Sequence, residues 1–499
     1  MTPQTLMGAI RRKQRSSATI YGISATQFTM LSFIHRCCMS TYSHRSVATV
    51  LKTKPIKERI KIQGWVKAIR RQKDQTFVDV SDGSSAKNLQ VILESSKRPS
   101  NLGYHSSICA SGLLSHSSHK GQEVELLAED IKVIDDQNLE NYPFKPRTKF
   151  PPDYVRQYPH LRARTNFGSL LRIRSQAKLA MHQYFFQEGF ICVDTPLITS
   201  NDCEGAGEVF TVKVPNAKII SKDDDLEEHF FDRPVFLTVS GQLHLEAMAS
   251  GLSKVYNFSP TFRAENSQSR RHLSEFWMVE AEEAFLKGLT GFESLMNRVE
   301  SLVKFSIQYL LDTQEEDLLY YWKQNDFTEK RVQNTISLPF TRLPYSEAMN
   351  ILTENSSVFQ TKPIRGANLG KEHELFLAKH MGNVPVFVTD WPSDTKAFYM
   401  CSTEEDSSLV YGLDLLFPDV GEVVGGGLRE HDFLTLRKRL ERRGLLQSLD
   451  WYLQLRQFSG RAPSGGFGLG FERFLLFLLG IHNIKDTVPF PRWGKHCPC

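Results

Sequence analysis

The 499-residue chain has no Cys-x-x-Cys pair, no G-x-x-x-x-G-K-[ST] loop and no G-x-G-x-x-G spacing. These absences argue against a zinc ribbon, a P-loop nucleotide site and a dinucleotide fingerprint. The eight cysteines are scattered: Cys37 and Cys38, Cys109, Cys192, Cys203, Cys401, and Cys497 with Cys499, which reads as reduced, mostly structural thiols. No apolar run is long. FLLFLLGI at 474–481 falls far short of the roughly 20 residues a bilayer span needs, so no membrane partner is expected.

Acidic residues are absent from positions 1–57, which carry nine Lys or Arg. Outside that stretch 52 basic residues face 56 acidic ones, a net charge of −4. The formal +5 of the whole chain is therefore a property of its leader, and bulk charge gives no reason to expect DNA as a partner. The leader is Arg-bearing and Ser/Thr-rich, the composition of an organellar transit peptide, read as mitochondrial over 1–45. A basic disordered tail has the same composition.

Length predicts two or three domains. Between 56 and 135 short alternating runs recur (RIKIQGWVKAIR, TFVDVSDGS, LQVILE, VELLAEDIKVI), bounded by Gly, Ser, Asp and Lys. Their number and spacing predict a five-stranded barrel of the oligonucleotide-binding (OB) type. Two readings of Phe77 fit its strand: core filling, or an exposed ring on which a base of single-stranded RNA stacks. Residues 136–167 read as a Pro-rich hinge. The basic residues of 141–174 suit either a solvated linker or a track for a phosphate backbone. From 168 to 499 helical periodicity and strand patterns mix without regular βαβ alternation, which predicts an α+β domain with an antiparallel sheet flanked by helices. In it, GFICVDTPLIT reads as a strand with Pro196 at an edge.

Three segments of this second domain carry charge where a core is expected. In FRAENSQSRRHLSEFWMVEAE (262–282) strand alternation puts Phe276, Met278, Glu280 and Glu282 on one face, with Arg263 in the preceding strand. Buried charges of that kind need a partner, a ligand or a salt-bridge network. In LVYGLDLLFPDVGEVVGGGLREHD (409–432) Asp414 and Glu422 lie on strands joined by a turn, a pairing that suits Mg²⁺ held by carboxylates and substrate phosphates. In SGGFGLGFERFLLFLLG (464–480) a glycine-rich strand gives way to an apolar helix at Glu472-Arg473. With Arg263, that guanidinium suits a nucleoside triphosphate.

These segments resemble the class II aminoacyl-tRNA synthetases. Phe262-Arg263-Ala264-Glu265 followed by His272 to Phe276 is similar to that family's second motif, the glycine strand ending in Glu472-Arg473 to its third, and GFICVDTPLIT to its first, dimer-forming one. With a barrel in front, the order resembles the aspartyl, asparaginyl and lysyl subgroup, and within it the mitochondrial asparaginyl enzymes. Aspartyl members carry a Lys where Leu245 stands in TVSGQLHLE, and an Asp where Glu280 stands. Losing a cation and lengthening an acceptor favours a carboxamide over a carboxylate.

The resemblance implies the following roles. Arg263 and Arg473 are the catalytic cations, Arg263 on the α-phosphate, with His272 and Arg473 on the outer phosphates. Phe276 stacks on adenine, and Asp414 and Glu422 hold Mg²⁺. Glu204, Ser240 and Gln242 take the amino acid's ammonium side, and Glu280, Arg429 and the Leu245 position its other end. Glu265, which also belongs to the ATP site, meets the tRNA acceptor end with Asn266, Arg270 and Arg271, while Phe77 and Gln90 read the anticodon. Expected partners are ATP, L-asparagine, tRNA(Asn) and a second copy of the chain. An aspartyl or non-discriminating enzyme is the nearest alternative; a non-catalytic RNA-binding paralogue is the alternative of another kind. Two positions depart from the family pattern: Ser464, where a His is usual, and Cys401, where Arg or Lys is usual.

Overall fold

The computed structural model describes residues 42–119, 121–136, 142–146, 148–200, 208–214, 230–325, 327, 329–458, 460 and 462–499. It divides into two compact units, Met1–Thr148 and Lys149–Cys499. The leader, Cys203 and the expected ligand Glu204 lie outside the described residues, apart from positions 42–45.

In the first unit β2 (Arg59–Arg71), β3 (Gln75–Ser81), β4 (Leu89–Glu94), β5 (Ser107–His116) and β6 (Val124–Asp135) pair in the order β2-β3-β4-β6-β5. A further β2–β5 ladder closes the ring, giving the expected five-stranded barrel. Alternation decides its inside: Ile60, Ile62, Val78, Val80, Leu89, Val91, Ile108 and Leu126 are fully buried. Within the β5–β6 ladder the backbones approach closely at Gly112, beside a shift of register, where a Cβ would stand 2.0 Å from the Leu127 carbonyl oxygen. Described structure starts before the sequence suggested: β1 (Ser43–His44) pairs with β2, Arg45 bonds Glu58 at 2.7 Å, and Ser46 caps the helix Val47–Thr53.

The second unit is built on an eight-stranded sheet. Its strands are β7 (Ile191–Cys192), β10 (Lys254–Phe262), β11 (Glu275–Ala284), β12 (Thr341–Pro344), β13 (Val386–Pro392), β14 (Leu409–Phe417), β15 (Gly421–Leu428) and β16 (Ser464–Gly470). The order is β12-β13-β14-β15-β16-β11-β10-β7. Every interior pairing from β13 to β10 is antiparallel, as expected, but each edge adds a parallel pair, β12–β13 and β7–β10. The strand expected over ICVDTPLIT is instead two dipeptides in different sheets: β7, and β8 (Ile198–Thr199) paired with β9 (Phe236–Leu237). Pro196 lies between them, where a residue with no N–H cannot extend a ladder.

Helix Phe167–Gln187 buries Leu170, Ile173, Ala177, Ala180, Met181, Tyr184 and Phe185 against helix Gly288–Asn325 and one sheet face. Much of the expected hinge is a clamp of this unit. Arg156 binds Asp486 with its Nη1 at 2.7 and 2.6 Å from the two carboxylate oxygens. Arg162, 2% exposed, donates to the Val488 and Pro489 carbonyls at 2.9 and 3.1 Å. Burial lowers its pKa to about 10, with Asp486 pulling the other way. Arg172 pairs with Asp317 and Arg174 with Glu472, so these arginines are internal fasteners.

Candidate functional site

Register across the sheet explains how a floor for a ligand arises. Glu280 on β11 faces Gly468 on β16, which faces Gly425 on β15, which faces Asp414 on β14. One row therefore runs from carboxylate to carboxylate over two glycines. The next row is Glu282, Gly466, Gly427 and Gly412. Without side chains at its centre the sheet leaves room, and a cavity of about 670 Å³ lies over it, within the range of small-molecule sites.

Its walls gather residues far apart in sequence. Phe276 and Met278 come from β11, and Glu265, Arg271, His272 and Arg263 from the loop between β10 and β11; Arg263, expected in the preceding strand, follows its last residue, Phe262. Asp414, Glu422, Glu374 and Lys396 form a second wall, Arg473 a third, and Ser240 with Gln242 and Tyr399 a polar corner. The Arg263 guanidinium carbon lies 5.5 Å from the centre of the Phe276 ring. Burial lowers the His272 pKa from its usual range; its Nδ1 meets Ser267 and Ser269 hydroxyls at 3.0 and 2.7 Å, and its Nε2 is 3.6 Å from Glu265.

The carboxylates of the second wall converge. A methyl at Gly425 would stand 3.2 Å from Glu422 Oε1 and 3.8 Å from Asp414 Oδ1. Burial raises the Asp414 pKa to about 6; Lys396, whose Nζ donates to it at 2.6 Å, lowers it, and Glu422 and Glu374 raise it. Burial would also raise Glu422, but Arg473, Lys396, Arg263 and Lys371 hold it below the usual range. Arg473 donates to the Glu422 carbonyl at 2.8 Å and lies 3.4 Å from its carboxylate. Two carboxylates crowded beside an open, cation-lined cavity are a donor set that fits Mg²⁺ together with phosphate oxygens.

Glu472 fastens the Arg473 helix. Its Oε2 accepts from the Trp277 amide at 2.9 Å, and its Oε1 pairs with Arg174 at 2.6 Å.

Residues 152–494 match the family model described as "tRNA synthetases class II (D, K and N)", and residues 60–134 that of the OB-fold nucleic acid binding domain. The chain belongs to the class II tRNA synthetases of the D, K and N group. An asparaginyl-tRNA synthetase of Homo sapiens is 47% identical over 447 residues, covering 88% of this chain and 91% of that protein. A protein of Dictyostelium discoideum described as a probable mitochondrial asparagine–tRNA ligase is 42% identical, covering 89% and 94%. Among solved structures, asparaginyl-tRNA synthetase from Pyrococcus horikoshii complexed with asparaginyl-adenylate superposes with a TM-score of 0.79 at 27% identity, covering 91% of this chain and 99% of that one.

Not every expected ligand of this synthetase lines the cavity. Glu280, 2% exposed, is enclosed by three donors: the Ser240 hydroxyl, the Gly241 amide at 2.9 Å and the Asn257 side chain at 3.2 Å. Burial raises its pKa while those bonds lower it. Arg429, 1% exposed, pairs with Glu282 through Nε at 3.1 Å and Nη2 at 3.0 Å. It approaches the cavity through Met400, whose sulfur is 3.5 Å from its Nη1. Leu245 is not brought to the cavity: it lies one turn beyond Gln242 in an apolar cluster with Val193, Ala249 and Val255. Of the loop residues, Arg271 lines the cavity. The Arg270 carbonyl accepts from the Ile484 amide, and Asn266 Oδ1 is 3.6 Å from the point where a Cβ of Gly494 would stand.

On the barrel, Phe77 is half-buried on the outer face, since its neighbours Thr76 and Val78 point inward. The Arg70 guanidinium lies 5.6 Å from its ring centre. Gln90 is 4% exposed and accepts from Gln122 at 2.7 Å.

Sequence reasoning missed Lys396, Glu374, Lys371 and Tyr399. Tyr399 donates to the Gln242 side-chain oxygen at 3.0 Å, and Lys371 binds Glu374 at 2.8 Å. Among the described residues Cys401, Glu430 and His431 form one mixed S/O/N donor set, with atoms within 4.8 Å of one another. Arg439 stands 3.5 Å from the Glu430 carboxylate and Arg456 bonds the Glu430 carbonyl. Burial pushes the Cys401 thiol up to about 12.

Proposed function

We propose that this chain is an asparagine–tRNA ligase, joining L-asparagine to tRNA(Asn) in two steps with ATP. The observation that carries this reading is the glycine-floored cavity, which has cations and an aromatic wall on one side, a carboxylate pair opposite and a polar corner at Ser240 and Gln242. The names of the relatives supply the amino acid.

In the first step the asparagine carboxylate attacks the α-phosphorus of ATP and pyrophosphate leaves. Arg263 holds the α-phosphate, where charge develops, Arg473 and His272 receive the outer phosphates, and Phe276 supports the adenine. Mg²⁺, held by Asp414 and Glu422, would supply charge neutralisation at the phosphates. In the second step the terminal ribose hydroxyl of tRNA attacks the asparaginyl carbonyl of the adenylate, the ester forms, the acyl–phosphate bond breaks and AMP leaves with the charge, while the hydroxyl proton is lost; Arg271 and its loop lie at the acceptor end. No side-chain nucleophile is required, because positioning and preorganised charge lower the barrier.

Ser240 and the Gly241 amide hold Glu280 in place, and Glu282 holds Arg429, so the amino acid's end is read against residues fixed in advance. Phe77, with its ring on the outer face of the barrel, is the stacking platform for an anticodon base. The exposed apolar side chains Phe186 near the end of the helix Phe167–Gln187, Ile191 on the edge strand β7, and Leu197 and Ile198 that follow it support a homodimer through this segment. Leader composition and the mitochondrial relative support a mitochondrial protein; the leader would end before Ser43, since β1 and Arg45 belong to the barrel unit.

Charging tests the proposal: purified chain lacking residues 1–41 should attach labelled asparagine to a tRNA(Asn) transcript. Attachment of aspartate at comparable efficiency would overturn the amino-acid assignment.

A further inference from the structure

The segment that follows helix Phe471–Leu479 packs onto the loop joining β10 to β11. Three hydrogen bonds tie them together. The Ile484 amide donates to the Arg270 carbonyl at 2.8 Å, Lys485 Nζ to the Gln268 carbonyl at 3.3 Å, and the Ser274 amide to the Arg492 carbonyl at 2.8 Å. Residues 263–274 belong to no helix or strand, so bonds to neighbouring segments have to fix their course. The same loop places Arg271 and His272 in the cavity wall, which Ile484 also lines.

The supporting segment is itself well held. Ile484 and Lys485 are 4% and 8% exposed. The Asn483 side-chain oxygen accepts from the Lys485 amide at 3.1 Å, the buried Thr487 hydroxyl donates to the Ile484 carbonyl at 2.7 Å, and Asp486 pairs with Arg156 at 2.6 Å. The Lys485 ammonium lies 4.3 Å from the centre of the Trp493 ring, which stacks on His496 at 3.5 Å. An ammonium taken from water needs acceptors, and the carbonyl it reaches belongs to the outer half of the loop, Asn266–Arg271. The inner residues are tied separately, since the Arg263 amide donates to the Ser274 carbonyl at 3.0 Å while Arg492 takes the Ser274 amide.

We infer that the segment Ile484–His496 holds the outer half of this loop ready for the tRNA acceptor end, and that Lys485 is the positioning residue through which it acts in the transfer step. The inference rests on the reading above that the loop meets the acceptor end. At 8% exposure Lys485 acts through the Gln268 carbonyl rather than by touching the RNA.

Three assays on K485M, K485R and the unmodified chain test it: pyrophosphate exchange, single-turnover transfer from preformed adenylate to tRNA(Asn), and limited cleavage by trypsin after Arg270 or Arg271. K485M keeps the stem on Trp493 but loses the donor. It should slow transfer about three- to tenfold, the size of one lost hydrogen bond, with the exchange rate and the KM values for ATP and asparagine within about twofold of the unmodified chain. Without tRNA present, trypsin should cut the K485M loop about threefold faster or more, because local opening admits the protease. K485R, which keeps a charged donor, should match the unmodified chain in all three. If K485M fails to fold, W493L, which removes the ring beneath the ammonium, reads the same split in smaller size. Unchanged transfer, an equal loss in exchange, or failure of K485R to rescue would overturn the positioning role. So would slowed transfer with unchanged cleavage, which would mean that the lysine acts by its charge on the RNA. If the unmodified chain charges aspartate instead, or charges no tRNA, the functional reading fails, and cleavage of the loop still decides whether Lys485 holds it.

Discussion

Replacing Arg174 by Met tests how the helix that carries Arg473 is held. The Arg174–Glu472 pair spans 2.6 Å with side chains 8% and 1% exposed, so solvent screens it little. Arg174 also donates to the Thr487 carbonyl at 3.1 Å and lies 4.7 Å from the centre of the Phe471 ring. Met keeps much of the stem's volume but leaves a buried carboxylate whose remaining bond is to the Trp277 amide. Breaking one side of such a pair costs about 3–5 kcal/mol, or roughly 5–10 °C in Tm for a unit of this size. The double variant R174M/E472M removes the stranded charge, so it should lose less than the two single changes summed. It should not return to the starting stability, because the Trp277 amide then lacks its acceptor, a loss of about 1–3 kcal/mol. Urea unfolding followed by circular dichroism measures all three, and because Arg473 is the next residue, R174M should also raise the KM for ATP. A cost below about 1 kcal/mol for R174M, or simple additivity in the cycle, would refute the strut.

Three further outcomes follow from the same geometry. G425A places a methyl 3.2 Å from Glu422 Oε1; it should leave Tm nearly unchanged while lowering kcat about a hundredfold or more, equivalent to about 2.7 kcal/mol of barrier, and titration of Mg²⁺ in the exchange assay should show weakened dependence. F276A removes the aromatic wall and should raise the KM for ATP by about ten- to a hundredfold, the size of one lost base stack, with the KM for asparagine changed much less. F77A should reduce charging of tRNA(Asn) by about tenfold or more without altering pyrophosphate exchange, which needs no tRNA; an equal loss in both assays would contradict a role confined to the barrel.

How much could be read in advance differs from residue to residue. Period-two alternation was enough to put Phe276, Met278, Glu280 and Glu282 on one face, and a turn between two strands to bring Asp414 beside Glu422. The Glu472-Arg473 junction was legible because glycine strand and apolar helix meet there. Lys396 and Glu374 were not, since a lysine in a loop and a glutamate on the mixed helix Lys371–His380 look like surface until the fold carries them to the β14–β15 wall. Nor could sequence tell that Leu245 packs among Val193, Ala249 and Val255: matching a position to a motif identifies a residue without fixing the direction of its side chain. In the basic run 141–174 the sequence could not show the partners either: Arg156, Arg172 and Arg174 pair with Asp486, Asp317 and Glu472, residues that lie more than a hundred positions away.

The central claim is that the glycine-floored cavity activates asparagine with ATP. Pyrophosphate exchange by the chain lacking residues 1–41, comparing asparagine with aspartate at equal concentration with and without Mg²⁺, tests it most directly. Exchange that requires both asparagine and Mg²⁺ is the predicted result; equal exchange with aspartate, or none with either amino acid, would contradict it.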